Sequence, residues 1–123
     1  MVKLVFCLRR LPHLSRAEFQ RYWLEHHGPL VRGHATALGI RRYVQTHADH
    51  EALSTALAAT RGAPEPYDGV AELWWDSTDA LVGASATPAG AAAAQALLED
   101  ERRFIDHARS PIFVTTEHPL IGG

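Results

Sequence analysis

The chain has 123 residues, 46% of them apolar, with 12 Lys and Arg against 14 Asp and Glu for a formal net charge of -2. That length builds one domain with a core rather than two, and so near-neutral a chain lacks the field that gathers nucleic acid or an anionic membrane surface. The single cysteine, Cys7, excludes an internal disulfide and cysteine-rich zinc frameworks, which leaves histidine and carboxylate as ligands for any metal.

Residues 2–9, VKLVFCLR, are rich in β-branched and aromatic side chains and predict a first strand that ends before Pro12. The run LVFCL is too short for a signal-peptide core or a spanning helix, so a cytoplasmic location is expected. Ser15 followed by Glu18 is a capping-box pattern, which opens a helix over RAEFQRYWLEHHG. Gly28 and Pro29 should weaken that helix, because proline lacks a donor and crowds the preceding turn, while Leu30, Val31, Ala35 and Leu38 indicate that it resumes. Gly39 suits a left-handed cap, and IRRYVQTH reads as the second strand. The alanine-rich EALSTALAATRG is either a helical excursion or a loop before the two prolines of APEP. YDGVAELWWD is the third strand, Ser77 or Thr78 caps a short turn, and Pro88 opens a second long helix running from Ala89 to Ala108. PIFVTTEH closes the chain as a fourth strand.

The order β-α-β-β-α-β gives an α+β, ferredoxin-like fold, a four-stranded antiparallel sheet with two helices on one face, in a single domain spanning residues 1–123. The other face of the sheet needs a cover. Strands 1 and 3 carry apolar residues at both parities, which predicts a homodimer joined through the sheet face.

The candidate chemistry centres on the first helix, where His26 and His27 stand side by side in a chain with eight histidines. At about 100° per residue with Phe19 at zero, Trp23 falls at about 40°, His26 at about -20° and His27 at about 80°. His26 therefore belongs to the apolar stripe. His27 lies at its edge, one turn after Trp23, where its ring reaches a pocket between helix and sheet and can move protons near neutral pH. The structural alternative for His27 is a helix C-terminal residue that meets the last carbonyls. No acid stands in helical register with either ring, so an orienting carboxylate would come from a strand, with Glu72 as candidate.

Tyr43, His47, Arg41 and Gln45 share a parity on the second strand and line the same cleft if that face meets the first helix. Glu72 shares a parity with Val70 and Trp74, and a carboxylate among such neighbours would have a raised pKa or a charged partner, whereas exposure at an edge would make it inert. Trp74 and Trp75 point to opposite faces, one into the cleft and one into the interface. Trp23, His26, Leu30, His47 and Trp74 are thus the expected ligand-lining set, and His27, Tyr43 and Glu72 the expected catalytic one.

FQRYWLEHHGPLV followed by LGIRRYVQTH resembles the EthD domain family of the dimeric α/β-barrel superfamily, and the similarity runs on to PIFVTTEH, with nothing distinctive over residues 49–65. His27, not His26, takes the family's histidine position, and Trp23, Pro29, Leu30 and Tyr43 match the pattern around it. The resemblance implies protomers that pair through their sheets into an α/β barrel. Relatives there include cofactor-free isomerases of the muconolactone type, polyketide cyclases and dehydratases, quinone-forming monooxygenases and haem-handling enzymes.

The activity implied is a cofactor-independent acid/base enzyme of isomerase, cyclase or dehydratase type, acting on a small apolar oxygenated ring compound such as a lactone, polyketide or aromatic catabolite. His27 would be its acid or base, and Tyr43 would hold a carbonyl or enolate oxygen. No P-loop, dinucleotide fingerprint or H-x-x-x-H with a helical glutamate appears, so neither a nucleotide cofactor nor a zincin-type metal is expected. Two rivals stand beside this reading. One is a non-catalytic ligand-binding accessory protein of a degradation pathway; the other is an oxygenase, either cofactor-free or using His27 or His107 as a haem ligand.

Overall fold

Strand β1 (Val2–Leu8) pairs antiparallel with β3 (Gly69–Trp75) on one side and β4 (Ile112–Thr115) on the other. Strand β2 (Arg42–His47) pairs with the outer edge of β3, so the sheet runs β2-β3-β1-β4 in the computed structural model, which describes residues 1–123. That is the ferredoxin-like order expected from β-α-β-β-α-β.

Alternation along the strands divides the sheet into two faces. Leu4, Phe6, Ala71, Leu73 and Tyr43 pack against the helices. Lys3, Val5, Cys7, Arg42, Val44, Val70, Glu72, Trp74 and Phe113 share the opposite, open face by register. On that face Cys7 is half-buried, and burial pushes its thiol above the ordinary range, which keeps it protonated.

Helix α1 (Arg16–Tyr22) starts with the capping box expected: the Glu18 amide donates to Ser15 Oγ at 3.1 Å, and the Ser15 amide donates to Glu18 Oε1 at 2.9 Å. A widened π turn (Trp23–His27) follows without a break and leads into α2 (Gly28–Leu38). Gly39 ends α2 with a φ of 70°, the left-handed cap anticipated for it. The segment left open between helix and loop is helix α3 (Glu51–Arg61), none of whose residues is buried.

Short helix α4 (Thr78–Ala84) is capped by Ser77, whose hydroxyl accepts from the Ala80 amide at 3.1 Å. Helix α5 (Pro88–Glu101) is capped by Thr87. It stops seven residues short of the expected Ala108 because Phe104 and Ile105 turn into the core, and Ile105 forms a β-bridge with Arg10. The fourth strand is likewise shorter than the run PIFVTTEH suggested. No single helix is long and apolar enough to cross a membrane.

The core has two parts. Phe6, Leu8, Phe19, Trp23, Ala71, Phe104 and Ile105 fill the space between sheet and α1, and Val31, Leu38, Ala93 and Leu97 join α2 to α5. Burying each large apolar side chain among these contributes about 1.5–3 kcal/mol. Gly69 permits the closest approach in the first cluster, since a Cβ there would lie 2.4 Å from Trp23 Cζ3 and 2.7 Å from the Thr46 carbonyl oxygen. Trp75 faces the helices and donates its indole N–H to the Leu38 carbonyl at 2.8 Å, so Trp74 is the tryptophan on the open face.

Candidate active site

Pro29 offers no N–H to the carbonyl four residues back, and at this point the helix widens. The Gly28 amide bonds the Trp23 carbonyl, five residues earlier. A turn with more residues advances fewer degrees for each, so His27 swings back over the row of Phe19 and Trp23 while His26 is carried out of it. His27 is 5% exposed, whereas the His26 side chain is 56% exposed. The placement of His26 in the apolar stripe is corrected accordingly: the straight-helix angles do not survive the π turn.

His27 Nδ1 lies 2.8 Å from Asp100 Oδ2 of α5. The Tyr22 hydroxyl donates to the other oxygen, Oδ1, at 2.5 Å, and His26 Nδ1 approaches that same oxygen at 3.5 Å. Burial opposes ionisation of Asp100, but the Tyr22 hydroxyl and the His27 ring outweigh it and hold the carboxyl below its usual range. Burial and the bond to Asp100 together push the Tyr22 hydroxyl up, so it remains a donor.

An ionised carboxylate only accepts, so Nδ1 is the ring nitrogen that donates to Asp100, which leaves Nε2 as the nitrogen free to exchange a proton. Every buried side-chain nitrogen and oxygen in the protein has a partner. Nε2 of His27 has none, which puts it on the small exposed part of the ring.

The orienting acid therefore comes from a helix and not from a strand. Glu72, the expected candidate, is on the open face and 2.6 Å from Lys3 Nζ, whose own pKa that hydrogen bond raises. Trp74 is also on that face, where its indole N–H donates to Glu117 Oε1 at 2.6 Å and the Arg42 guanidinium covers its ring at 4.7 Å. The β-sheet separates both from His27, because strand parity fixes which residues share a face and the helices fix which face is inside. Arg41 is exposed beside Asp76, and Leu30 is half-buried against the second core cluster.

The residues of β2 do reach the histidine helix. Gln45 donates to the Trp23 carbonyl at 2.9 Å and to the Tyr43 hydroxyl oxygen at 2.7 Å, while its Oε1 lies 2.8 Å from His47 Nε2. His47 stacks on the Trp23 indole, ring centres 4.4 Å apart. Burial pushes the His47 pKa down and the Tyr43 pKa up, so both rings are neutral at pH 7.

No open hollow separates His27 from the sheet. Phe19, Trp23 and Phe104 fill that space, and the Phe104 ring centre is 5.0 Å from that of His27. A groove of about 400 Å³ lies instead over Tyr22, His26, Phe104, Leu14 and Arg103. His107 Nε2 is 3.0 Å from Glu101 Oε1. No three His, Cys, Asp or Glu side chains converge as a metal site.

Asp100 lies outside the set of residues expected at the site, though the sequence carries a signal for it. Ala93, Leu97, Asp100 and Phe104 recur at helical spacing, and all four are buried. A carboxylate within an apolar stripe demands a buried partner.

One antiparallel four-stranded sheet with its helices on a single face places the chain among proteins of ferredoxin-like α+β fold. The chain belongs to the EthD domain family, whose model matches residues 11–108. An ethyl tert-butyl ether D (EthD) family protein from Bacillus halodurans shares 20% identity at a TM-score of 0.63, over 96% of this chain and 99% of that one. SnoaB from Streptomyces nogalater, described as a cofactor-independent oxygenase, shares 18% identity at a TM-score of 0.55, over 99% and 97% of the two chains. An EthD-like protein from Ralstonia eutropha shares 14% at a TM-score of 0.56, over 93% and 89%. At these identities the likeness is one of fold. The search of curated proteins gives no match.

Proposed function

We propose that the protein is a cofactor-independent acid/base enzyme of isomerase, cyclase or dehydratase type that acts on a small apolar oxygenated ring compound, such as a lactone, polyketide or aromatic catabolite. The observation that carries this reading is the buried His27–Asp100 pair at 2.8 Å. Asp100 fixes the ring's orientation and tautomer and stabilises the imidazolium, so Nε2 can take a proton from a carbon next to a carbonyl and return it elsewhere on the substrate or to a departing hydroxyl. The Tyr43 oxygen accepts from Gln45 and keeps its own proton to offer a developing enolate oxygen. With His27 only 5% exposed, substrate reaches Nε2 as neighbouring side chains move aside, a gating step of the kind that often limits turnover.

The test is exchange of carbon-bound hydrogen in D2O, with ring ketones and lactones as probes. Wild type should label the carbon next to the carbonyl, and His27→Ala should slow labelling by a factor on the order of 100 or more. Equal labelling by both proteins would remove His27 from the chemistry.

The likeness to SnoaB supports a second reading, a cofactor-free oxygenase. There the same base would deprotonate a hydroxylated ring, and the resulting electron-rich anion would reduce O2, one oxygen atom entering the ring and the other leaving as water. Oxygen uptake with a quinol, lost in His27→Ala, would select it.

The open sheet face is the proposed seat of a second copy of the chain. Phe113 of that face is 50% exposed beside Val5, its partner in register on β1, and Val44 lies in the same row on the far edge strand, beyond Glu72. A cytoplasmic setting suits the unpaired Cys7 in this reading.

A further inference from the structure

Two adjacent histidines cannot both enter the helix's buried row, and on a straight helix the one closer to Phe19 in angle would be His26. The π turn reverses that choice. Pro29 withholds a donor, but a missing donor only permits a widened turn and does not hold it in place. What holds it comes from the sheet.

The Trp23 carbonyl accepts twice, from the Gly28 amide within the turn and from Gln45 Nε2 at 2.9 Å. Gln45 reaches that oxygen because residue 28 is glycine: a Cβ there would stand 3.2 Å from Gln45 Nε2 and 3.4 Å from the Trp23 oxygen. Gln45 is itself fixed on both ends, by Tyr43 at 2.7 Å and by His47 at 2.8 Å, and His47 is stacked on the indole of the same Trp23. Both amide hydrogens and the carbonyl oxygen of Gln45 are thereby engaged, which makes it a rigid strut and not a mobile surface amide.

We propose that Gln45 is a positioning residue that pins the π turn and so selects His27, not His26, as the imidazole facing Asp100 from inside. The catalytic consequence rests on the reading of His27 as acid or base, but the selection itself does not.

The experiment is NMR of the full chain labelled with 15N-histidine, with ring signals assigned from His26→Asn and His27→Asn. In the wild type the His27 Nδ1–H, buried against Asp100, should exchange slowly with water and the His26 ring proton quickly. Gln45→Leu and Gln45→Met remove the donor while keeping the bulk beside Trp23. Each should speed exchange of the His27 proton on the order of ten-fold, the scale of one lost hydrogen bond.

Pro29→Ala alone should leave the pattern unchanged. Combined with Gln45→Leu it supplies the donor an ordinary turn needs, and protection should pass to His26. A His27 proton that exchanges as slowly in both Gln45 variants as in wild type, with melting and circular dichroism showing them folded, overturns the proposal. If protection moves as expected while D2O labelling of substrate does not change, the positioning role stands and the acid/base reading fails.

Discussion

His27 Nδ1 and Asp100 Oδ2 meet at 2.8 Å across 73 residues of sequence, one from the widened turn after α1 and the other from the last turn of α5. Asparagine at position 100 would keep the shape but remove the charge that stabilises the imidazolium. Asp100→Asn should therefore lower turnover on the order of 100-fold or more while leaving substrate affinity nearly constant. Steady-state kinetics separates the two, and a change confined to KM would argue that Asp100 only shapes the pocket.

Acid should weaken the fold through two buried carboxylates. Burial works against ionisation of Asp68, yet the Arg10 amide at 2.8 Å, Arg16 Nε at 3.1 Å and the Arg10 guanidinium more than compensate, so its pKa falls below the usual value, as does that of Asp100. A carboxyl with a depressed folded-state pKa adds stability that is complete above its unfolded value of about 3.9 and is lost as pH drops through the folded value. The carboxylate contribution should thus be constant from neutrality to about pH 5 and fall below about pH 4, while His47, whose ring burial keeps neutral in the fold, adds a separate loss as pH drops below its unfolded value of about 6.5. Asp68→Asn and Asp100→Asn should each lower the plateau and flatten the acid limb.

Gly69→Ala tests the close approach of indole to strand. The added methyl meets Trp23 Cζ3 at 2.4 Å, Trp23 Cη2 at 2.8 Å and the Thr46 carbonyl at 2.7 Å, so the ring or β3 must shift. The expected cost is about 1–3 kcal/mol, the range for overpacking a filled core. Urea unfolding would measure it, and a change in tryptophan emission should accompany it because the Trp23–His47 stack is disturbed.

A glutamate at Phe113 would put a charge on the open face at its β4 edge, beside Val5. If a second copy sits there, Phe113→Glu should convert a dimer into a monomer in light scattering after gel filtration, with little change in the protomer's circular dichroism. A wild type that is monomeric at all concentrations would remove the dimer from the account.

The sequence disclosed what local chemistry controls. The capping box at Ser15 and Glu18, the left-handed cap at Gly39 and the shared parities on the second and third strands depend on near neighbours, and the structure has them where the residues suggest. Parity of Glu72 and Trp74 was legible too, but not their side of the sheet, which depends on where the helices pack. The angle of His27 was hidden for a related reason. It depends on a π turn held by Gln45, which lies 18 to 22 residues further along the chain from the turn it braces. Asp100 could have been suspected from its place in the apolar stripe of α5, though nothing in that stripe names His27 as the partner.

Asp100 has one more consequence. The carboxylate that grips the hidden ring is also 3.5 Å from His26, whose imidazole stands in water, and it receives the Tyr22 hydroxyl at the floor of an open groove. An ion settling in that furrow would change the electric field on the inner imidazole. The interior imidazole is nearly enclosed yet remains within electrostatic earshot of the solution outside.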